Sequence, residues 1–438
     1  RTYVAYLFAH NDGDGEFGPD GDQDIVKCGS YTGNGSTTGP VIDLGFEPQW
    51  LLVKNTSAAR PWIMLDTMRG TTVGTSNAGS DEFLLANASD AEDTDSYLSI
   101  NSTGFQLRDI GGNVNASNEN YIYMAIRRGP LAPPESATEV FNTTLDTTNA
   151  LTTYDIGFPV DMMISSYTGV VTTGNRVINS RLQGFGYVDT DTVRSLFTYG
   201  NDSEQTLKTA LSWDNNTGFT IPDEYKSGSE SVHWSWKRAP GFCDVVTFTS
   251  QASGSTKSFS HNLTVAPEMI WLKNRPNSDP WLVYHSALGL NKYLVLDTTA
   301  AEATEASWIS TPSATEVTGI KDNMTYNNST YIAYLFATVP GVSKVGSFSH
   351  TTGSATNVDC GFTAGARFVL IKRTDNTGHW LVFDTERGIT AGNDSWLNLN
   401  LTDAENSSYD FIDPLSSGFT VDGSGLLSTG TYIFYAIA

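Results

Sequence analysis

The feature that most constrains this chain is that it repeats itself. The stretch Gly29–Gly70 realigns with Gly346–Gly388: Gly45–Phe46 falls on Gly361–Phe362, Lys54 on Lys372, Trp62 on Trp380, Asp66–Thr67 on Asp384–Thr385 and Arg69–Gly70 on Arg387–Gly388. Further on, Asp90–Glu92 matches Asp403–Glu405 and Ser102–Phe105 matches Ser416–Phe419. A third copy, 241–340, keeps Lys273, Trp281 and Gly289 but carries His285 where its sisters carry Asp. A more divergent copy, 131–240, keeps Gly157–Phe158, Gly184 and Thr217–Phe219 and lacks the Lys and the Trp. Every copy closes on an aromatic-rich strand: Tyr121–Ile126, Trp234–Arg238, Tyr331–Ala337 and Tyr432–Ala438. A period of about 100 residues is too long for a solenoid unit and matches one β-sandwich.

The residue types agree. The chain holds 43 Ser, 53 Thr and 40 Gly among 438 residues, and no stretch shows a helical period of apolar positions. Threonine with β-branched and aromatic residues suits strands, and Gly and Asn suit tight turns. The sequence predicts an all-β protein, a tandem array of four related, jelly-roll-like β-sandwich domains. Its segments are 1–23 (an isolated strand plus an acidic Asp/Gly loop), 24–130, 131–240, 241–340 and 341–438. Gly129–Pro130, Pro240–Gly241 and Pro340–Gly341 mark the junctions. Connectors this short predict beads in a semi-rigid row. Trp50–Lys54, Met269–Lys273 and Phe368–Lys372 are apolar on both faces, so they read as central strands covered on both sides.

Charge and motifs exclude several functions. A net charge of −23 repels phosphate backbones and anionic membranes. No run of about 20 apolar residues is present to span a bilayer as a helix. Cys28, Cys243 and Cys360 form no disulfide framework and no zinc spacing, and read as small buried side chains. The six histidines show no metal-binding spacing, and no nucleophile-elbow motif occurs. Asp66 and Asp384 recur with the repeat, so they read as structural, each pairing with the Arg three residues on to close a turn. No catalytic residue is expected and the chain reads as a non-enzyme.

Two segments stand out as candidate sites. The acidic loop offers Asp12, Asp14, Glu16, Asp20, Asp22 and Asp24 among Gly spacers, a pattern that can wrap oxygen ligands around Ca²⁺ or serve as a solvated linker. The opening segment Tyr3, Val4, Ala5, Tyr6, Leu7, Phe8 and Ala9 nearly duplicates Tyr331–Ala337, the closing strand of the third copy. It is expected either to belong to a longer repeat array or to complete a sheet in a neighbouring subunit. Trp62, Trp281 and Trp380 read as core, with stacking on sugars as the alternative. Fifteen Asn-X-Ser/Thr sequons, Asn55, Asn115 and Asn400 among them, suggest a glycosylated surface if the producing cell glycosylates.

The ordered motifs Gly29–Ser36, Ile42–Lys54, the Asp66–Gly70 turn, Ser102–Phe105 and Tyr121–Ile126 resemble a repeated domain of unknown function from virion or tail-fibre-like proteins of aquatic bacteriophages. That resemblance implies a structural or adhesive role outside the cell, on a virion or in the extracellular space, and brings no catalytic residues with it. The expected partners are copies of the chain itself in a homo-oligomer or filament, with cell-surface glycans as the alternative. Neither nucleic acid nor membrane insertion is expected, and no cofactor beyond possible Ca²⁺.

Overall fold

A computed structural model of the chain describes residues 2–8, 10, 17–71, 81–148, 150–169, 176–183, 192–208, 212–213, 215–221, 230–250, 256–321 and 329–438. It is nearly all-β, built of antiparallel sheets in four sandwich-like repeats. The first repeat contains β1 (Val26–Thr32), β2 (Val41–Asp43), β3 (Pro48–Asn55), β4 (Trp62–Asp66), β5 (Asp81–Leu85), β6 (Asp93–Asp95), β7 (Leu98–Asn101), β8 (Gly104–Leu107) and β9 (Asn120–Arg127). The second contains β10 (Phe141–Asp146), β11 (Thr152–Asp155), β12 (Met162–Tyr167), β13 (Val177–Ser180), β14 (Thr192–Phe197), β15 (Gln205–Lys208), β16 (Gly218–Ile221) and β17 (Ser231–Trp236). The third contains β18 (Cys243–Thr249), β19 (Lys257–Ser260), β20 (Met269–Asn274), β21 (Leu282–His285), β22 (Lys292–Val295), β23 (Ala303–Thr304), β24 (Glu316–Ile320) and β25 (Thr330–Phe336). The fourth contains β26 (Ser343–His350), β27 (Thr356–Asp359), β28 (Phe368–Arg373), β29 (Trp380–Asp384), β30 (Asp394–Asn398), β31 (Asn406–Tyr409), β32 (Ile412–Leu415), β33 (Gly418–Val421) and β34 (Gly430–Ile437).

One topology serves all four. Each repeat has a six-stranded sheet in which the first and closing strands pair, followed by a meander. The orders are β1-β9-β3-β4-β5-β6, β10-β17-β12-β13-β14-β15, β18-β25-β20-β21-β22-β23 and β26-β34-β28-β29-β30-β31. A small second sheet covers its inner face: β2-β8-β7, β11-β16, β19-β24 or β27-β33-β32. Successive side chains of a strand point to opposite faces. In the first repeat Leu51, Val53, Ile63, Leu65, Tyr121 and Tyr123 therefore face inward onto Phe105 and Ile100. Val369, Ile371, Phe383 and Phe434 do the same onto Phe419 and Val421 in the fourth. Each such side chain, fully buried, contributes roughly 1.5–3 kcal/mol.

The recurring Gly-Phe pair has a local cause. Gly45, Gly157 and Gly361 lie at φ of 77°, 85° and 72°, where a Cβ is disfavoured. The carboxylate two residues earlier accepts each glycine N–H, at 2.9 Å from Asp43, 3.2 Å from Asp155 and 2.8 Å from Asp359. The turn drops Phe46, Phe158 and Phe362 into their cores.

The chain forms two compact units, 1–132 with 181–184, and 133–180 with 185–438. The second holds nearly all of the last three repeats. For these three a row of beads is therefore the wrong picture, and the reason is their outer sheet faces. β17 and β20 are buried at every position, and so are Tyr331–Phe336 of β25 and Tyr432–Ile437 of β34. Their own small sheets cover one side only, and neighbouring repeats cover the other.

Candidate functional site

The site that the structure builds is the set of contacts among the last three repeats. Strand pairing fixes which residues are equivalent. Val177 pairs with Phe197, Leu282 with Val295 and Leu381 with Asn398. The residues just before Val177, Leu282 and Leu381 are Arg176, Trp281 and Trp380, so these three occupy one position of the fold.

Each reaches into a neighbouring repeat for the equivalent carbonyl. The Trp281 indole N–H donates to Phe197 O at 3.0 Å, and that of Trp380 to Val295 O at 3.1 Å. Arg176 Nε donates to Asn398 O at 3.1 Å. The third repeat thus binds the second, the fourth binds the third, and the second binds the fourth. The cycle closes after three members.

Two further sets of bonds follow the same cycle. Lys273 Nζ donates to Asn201 O at 3.1 Å, and Lys372 Nζ to Thr299 O and Ala300 O at 3.2 and 2.9 Å. The divergent repeat has no lysine here, and Arg176 fills both roles, its Nη2 donating to Asp403 O at 2.6 Å. One guanidinium spans what an indole and an ammonium share elsewhere. The third set is backbone to backbone: Glu204 N–H to Arg275 O at 2.6 Å, Glu302 N–H to Thr374 O at 2.8 Å and Glu405 N–H to Thr168 O at 2.7 Å.

Around the centre the contacts are aromatic. The Phe368 ring meets Phe141, Trp234 and Trp236 of the second repeat with centroids 5.3–6.0 Å apart, and Phe336 meets Tyr435 at 5.0 Å. Aromatic side chains suit such a seam because each buries a large apolar area and holds its partner in offset or edge-on geometry. Several polar groups at the seam are paired. The Trp234 indole donates to Asp384 Oδ2 at 3.0 Å, Arg387 stacks over the Trp234 ring at 5.3 Å, and Arg275 meets Glu204 at 2.8 Å.

Burial sets the electrostatics. It pushes Lys273 and Lys372 down to about 8 and Arg176 down to about 9, the last helped by the charge of Arg387. His285 is wholly buried and held down to about 4, its Nδ1 accepting the Ala287 N–H at 3.2 Å. It is a structural residue that shapes the turn after β21. The same turn in the first and fourth repeats is closed by carboxylate to arginine, Asp66 to Arg69 at 2.9 Å and Asp384 to Arg387 at 2.6 Å.

Other sequence candidates fare differently. Trp281 and Trp380 are buried, but between repeats and not inside a sandwich, so no sugar can stack on them. Three of the fifteen sequon asparagines, Asn55, Asn115 and Asn400, are buried, whereas Asn34, Asn87 and Asn201 are exposed. Asn115 Nδ2 binds Ser36 O at 2.9 Å and Asp109 O at 2.7 Å, tying two loops together. Cys243 and Cys360 are buried and in no disulfide, and burial pushes Cys360 up to about 12. Of the acidic loop, Asp20 and Asp22 are exposed and Asp24 half-buried, beside a Phe17–Gln23 bridge. Asp12, Asp14 and Glu16 lie outside the described residues. Tyr3, Val4, Ala5, Tyr6, Leu7 and Phe8 are exposed and in no strand, and Ala9 lies outside the described residues.

Among the described residues, ligand atoms of Asp410, Asp413 and Asp422 lie within 4.8 Å of one another. Burial and the neighbouring carboxylates raise Asp410 to about 6 and raise Asp413. Sequence reading misses this group because its members come together only when β32 pairs with β33. It also misses Arg176, which matches no motif. The recurrence of Lys54, Lys273 and Lys372 in apolar strands was the available signal that a carbonyl-rich surface must meet them.

A family described as a domain of unknown function (DUF7483) has a model that matches residues 1–130 and 178–438. No curated protein and no solved structure matches the chain.

Proposed function

The chain belongs to the DUF7483 family, and we propose that this member is a non-enzymatic structural subunit of an extracellular filament or virion fibre. The observation that carries this reading is the closed cycle of three repeats with its buried aromatic centre. Extensive aromatic burial between domains of one chain makes a stiff block, which suits a load-bearing shaft or cap. The net charge of −23 keeps such blocks soluble until specific contacts join them. The exposed apolar segment Tyr3–Phe8 supports the same reading, since a segment of this kind completes a sheet when it pairs with an open edge.

The test is negative-stain electron microscopy of the purified native material with sequencing of its N-terminus. Regular filaments or fibres built of compact blocks are expected. Isolated single particles at all concentrations would sink the filament reading and move attention to glycan binding by exposed loops.

A further inference from the structure

The first repeat carries the contact surface that the other three use on one another. Its outer sheet face is apolar (Trp50, Leu52, Met64, Ile122, Met124), yet all of these residues are half-buried or exposed, with Ile122 at 42%. The equivalent Ile332 and Ile433 are buried to 0% and 2%. The turn pair shows the same contrast: Asp66 and Arg69 side chains are 15% and 27% exposed, Asp384 and Arg387 0% and 1%.

Both halves of the cyclic contact are present in this one repeat. On the donor side are Trp62 and Lys54, whose Nζ bonds, among the described residues, its loop acceptor Arg60 O at 2.6 Å. Lys273 and Lys372 hold the matching loop carbonyls, Asp279 O and Gly378 O, and in addition the carbonyls of the next repeat. On the acceptor side are the end of β5, where Leu85 takes the place of Val295 and Asn398, and the segment Asp90–Glu92, which takes the place of Asp403–Glu405. Glu92 already binds Arg69 at 3.3 Å, as Glu405 binds Arg387 at 3.1 Å.

We infer that the first repeat joins the first repeats of two further copies of this chain, so that the protein is a homotrimer held by a three-membered ring. The Trp62 indole donates to Leu85 O of the next copy, Lys54 to carbonyls at Ser89–Asp90, and the Glu92 N–H to Thr56 O. A surface with unlike donor and acceptor sides forms rings when the rotation closes. The last three repeats show that for this fold it closes at three. Linker length says why the partners come from other chains. The ring members are joined by the short stretches 237–242 and 337–342, with bridges Ala239–Cys243 and Val339–Ser343 inside the turns. The first repeat is followed by the longer stretch 128–140, and residues 10–25 separate it from the strand-like segment before it.

This inference deepens the proposed structural role and rests on it for its biological meaning, while its own test is independent. Light scattering behind size exclusion on the full chain at micromolar concentration is expected to give three times the 47.4 kDa chain mass. Trp62→Glu and Ile122→Asp are each expected to weaken the trimer at least about 30-fold with unchanged circular dichroism. Val41→Asp, on the small sheet, leaves the trimer intact. In a Cys28→Ser background, Lys54→Cys with Asp90→Cys is expected to give covalent trimers with a short bismaleimide. A monomer or dimer throughout, or trimers indifferent to both face variants, overturns the inference. Filaments that form equally well from Trp62→Glu chains would overturn the trimer yet leave the structural role standing. Trimers that never associate further would uphold the trimer and count against the filament.

Discussion

Trp380→Ala offers the sharpest test of how the last three repeats cohere. Trp380 is 1% exposed, and its indole bonds Val295 of another repeat at 3.1 Å. Truncating a buried Trp costs about 3–5 kcal/mol through lost transfer energy and the cavity left behind. The orphaned Val295 carbonyl adds about 1 kcal/mol. A total of about 4–6 kcal/mol, spread over one cooperative block of three repeats, lowers its Tm by roughly 6–10 °C. The control is Trp62→Ala, at the same position of the fold. Trp62 is only half-buried in the chain and its indole bonds no acceptor among the described residues, so its truncation costs about 1–2 kcal/mol when measured on dissociated chains. Differential scanning calorimetry at low protein concentration compares the two. The reasoning is refuted if the two variants lose equal free energy once each Tm shift is multiplied by the entropy of its own transition, or if Trp380→Ala moves Tm by less than about 2 °C.

Arg176→Met leaves the carbonyls of Asn398 and Asp403 without their donor and should lower stability by about 3 kcal/mol, read from the urea midpoint; Arg176→Lys should recover part of this, because an ammonium cannot span both acceptors. His285 titrates near 6.5 unfolded and about 4 folded, so the unfolded chain binds the extra proton. Stability should therefore fall as pH drops from about 6.5 to about 4, by on the order of 3 kcal/mol, and His285→Asn should flatten that slope in urea titrations. Lys273 and Lys372 have the same sign at higher pH: held at about 8 against 10.5 unfolded, they should add stability as pH rises from about 8 to 10, and the double Met variant should lose this gain. Expressed in a glycosylating host, the chain should carry no glycan at Asn115, which peptide mass mapping would show, and Asn115→Ala should cost about 2–3 kcal/mol by freeing the carbonyls of Ser36 and Asp109.

The repeats were readable because their anchors serve the sandwich locally. Gly45 and Gly361 are needed for a left-handed turn, and Asp66 with Arg69 closes the next one, so these residues recur at fixed spacing. Strands such as Phe368–Lys372 also announced that both faces would be covered. What covers the second face was not legible, since a strand pattern reports burial and not the identity of the neighbour. The cycle was further hidden by Arg176, which replaces two recurring residues at once, and by backbone bonds such as Glu302 N–H to Thr374 O, which leave no mark on side-chain identity. The carboxylates of Asp410, Asp413 and Asp422 were illegible for a different reason, because strand pairing and not chain proximity assembles them.

Linking three ring members in one polypeptide changes what evolution can do with them. A substitution in a self-assembling trimer appears at all three contacts together and must suit each of them. In the tethered ring every contact is encoded separately, and the tether holds its partners at high effective concentration even if one contact weakens. The three joints have accordingly drifted apart, with an arginine at one, tryptophan and lysine at two, and a histidine turn in the third repeat. The tethered block is free to present three unlike outer surfaces from one architecture, whereas the first repeat must keep its two edges matched to each other.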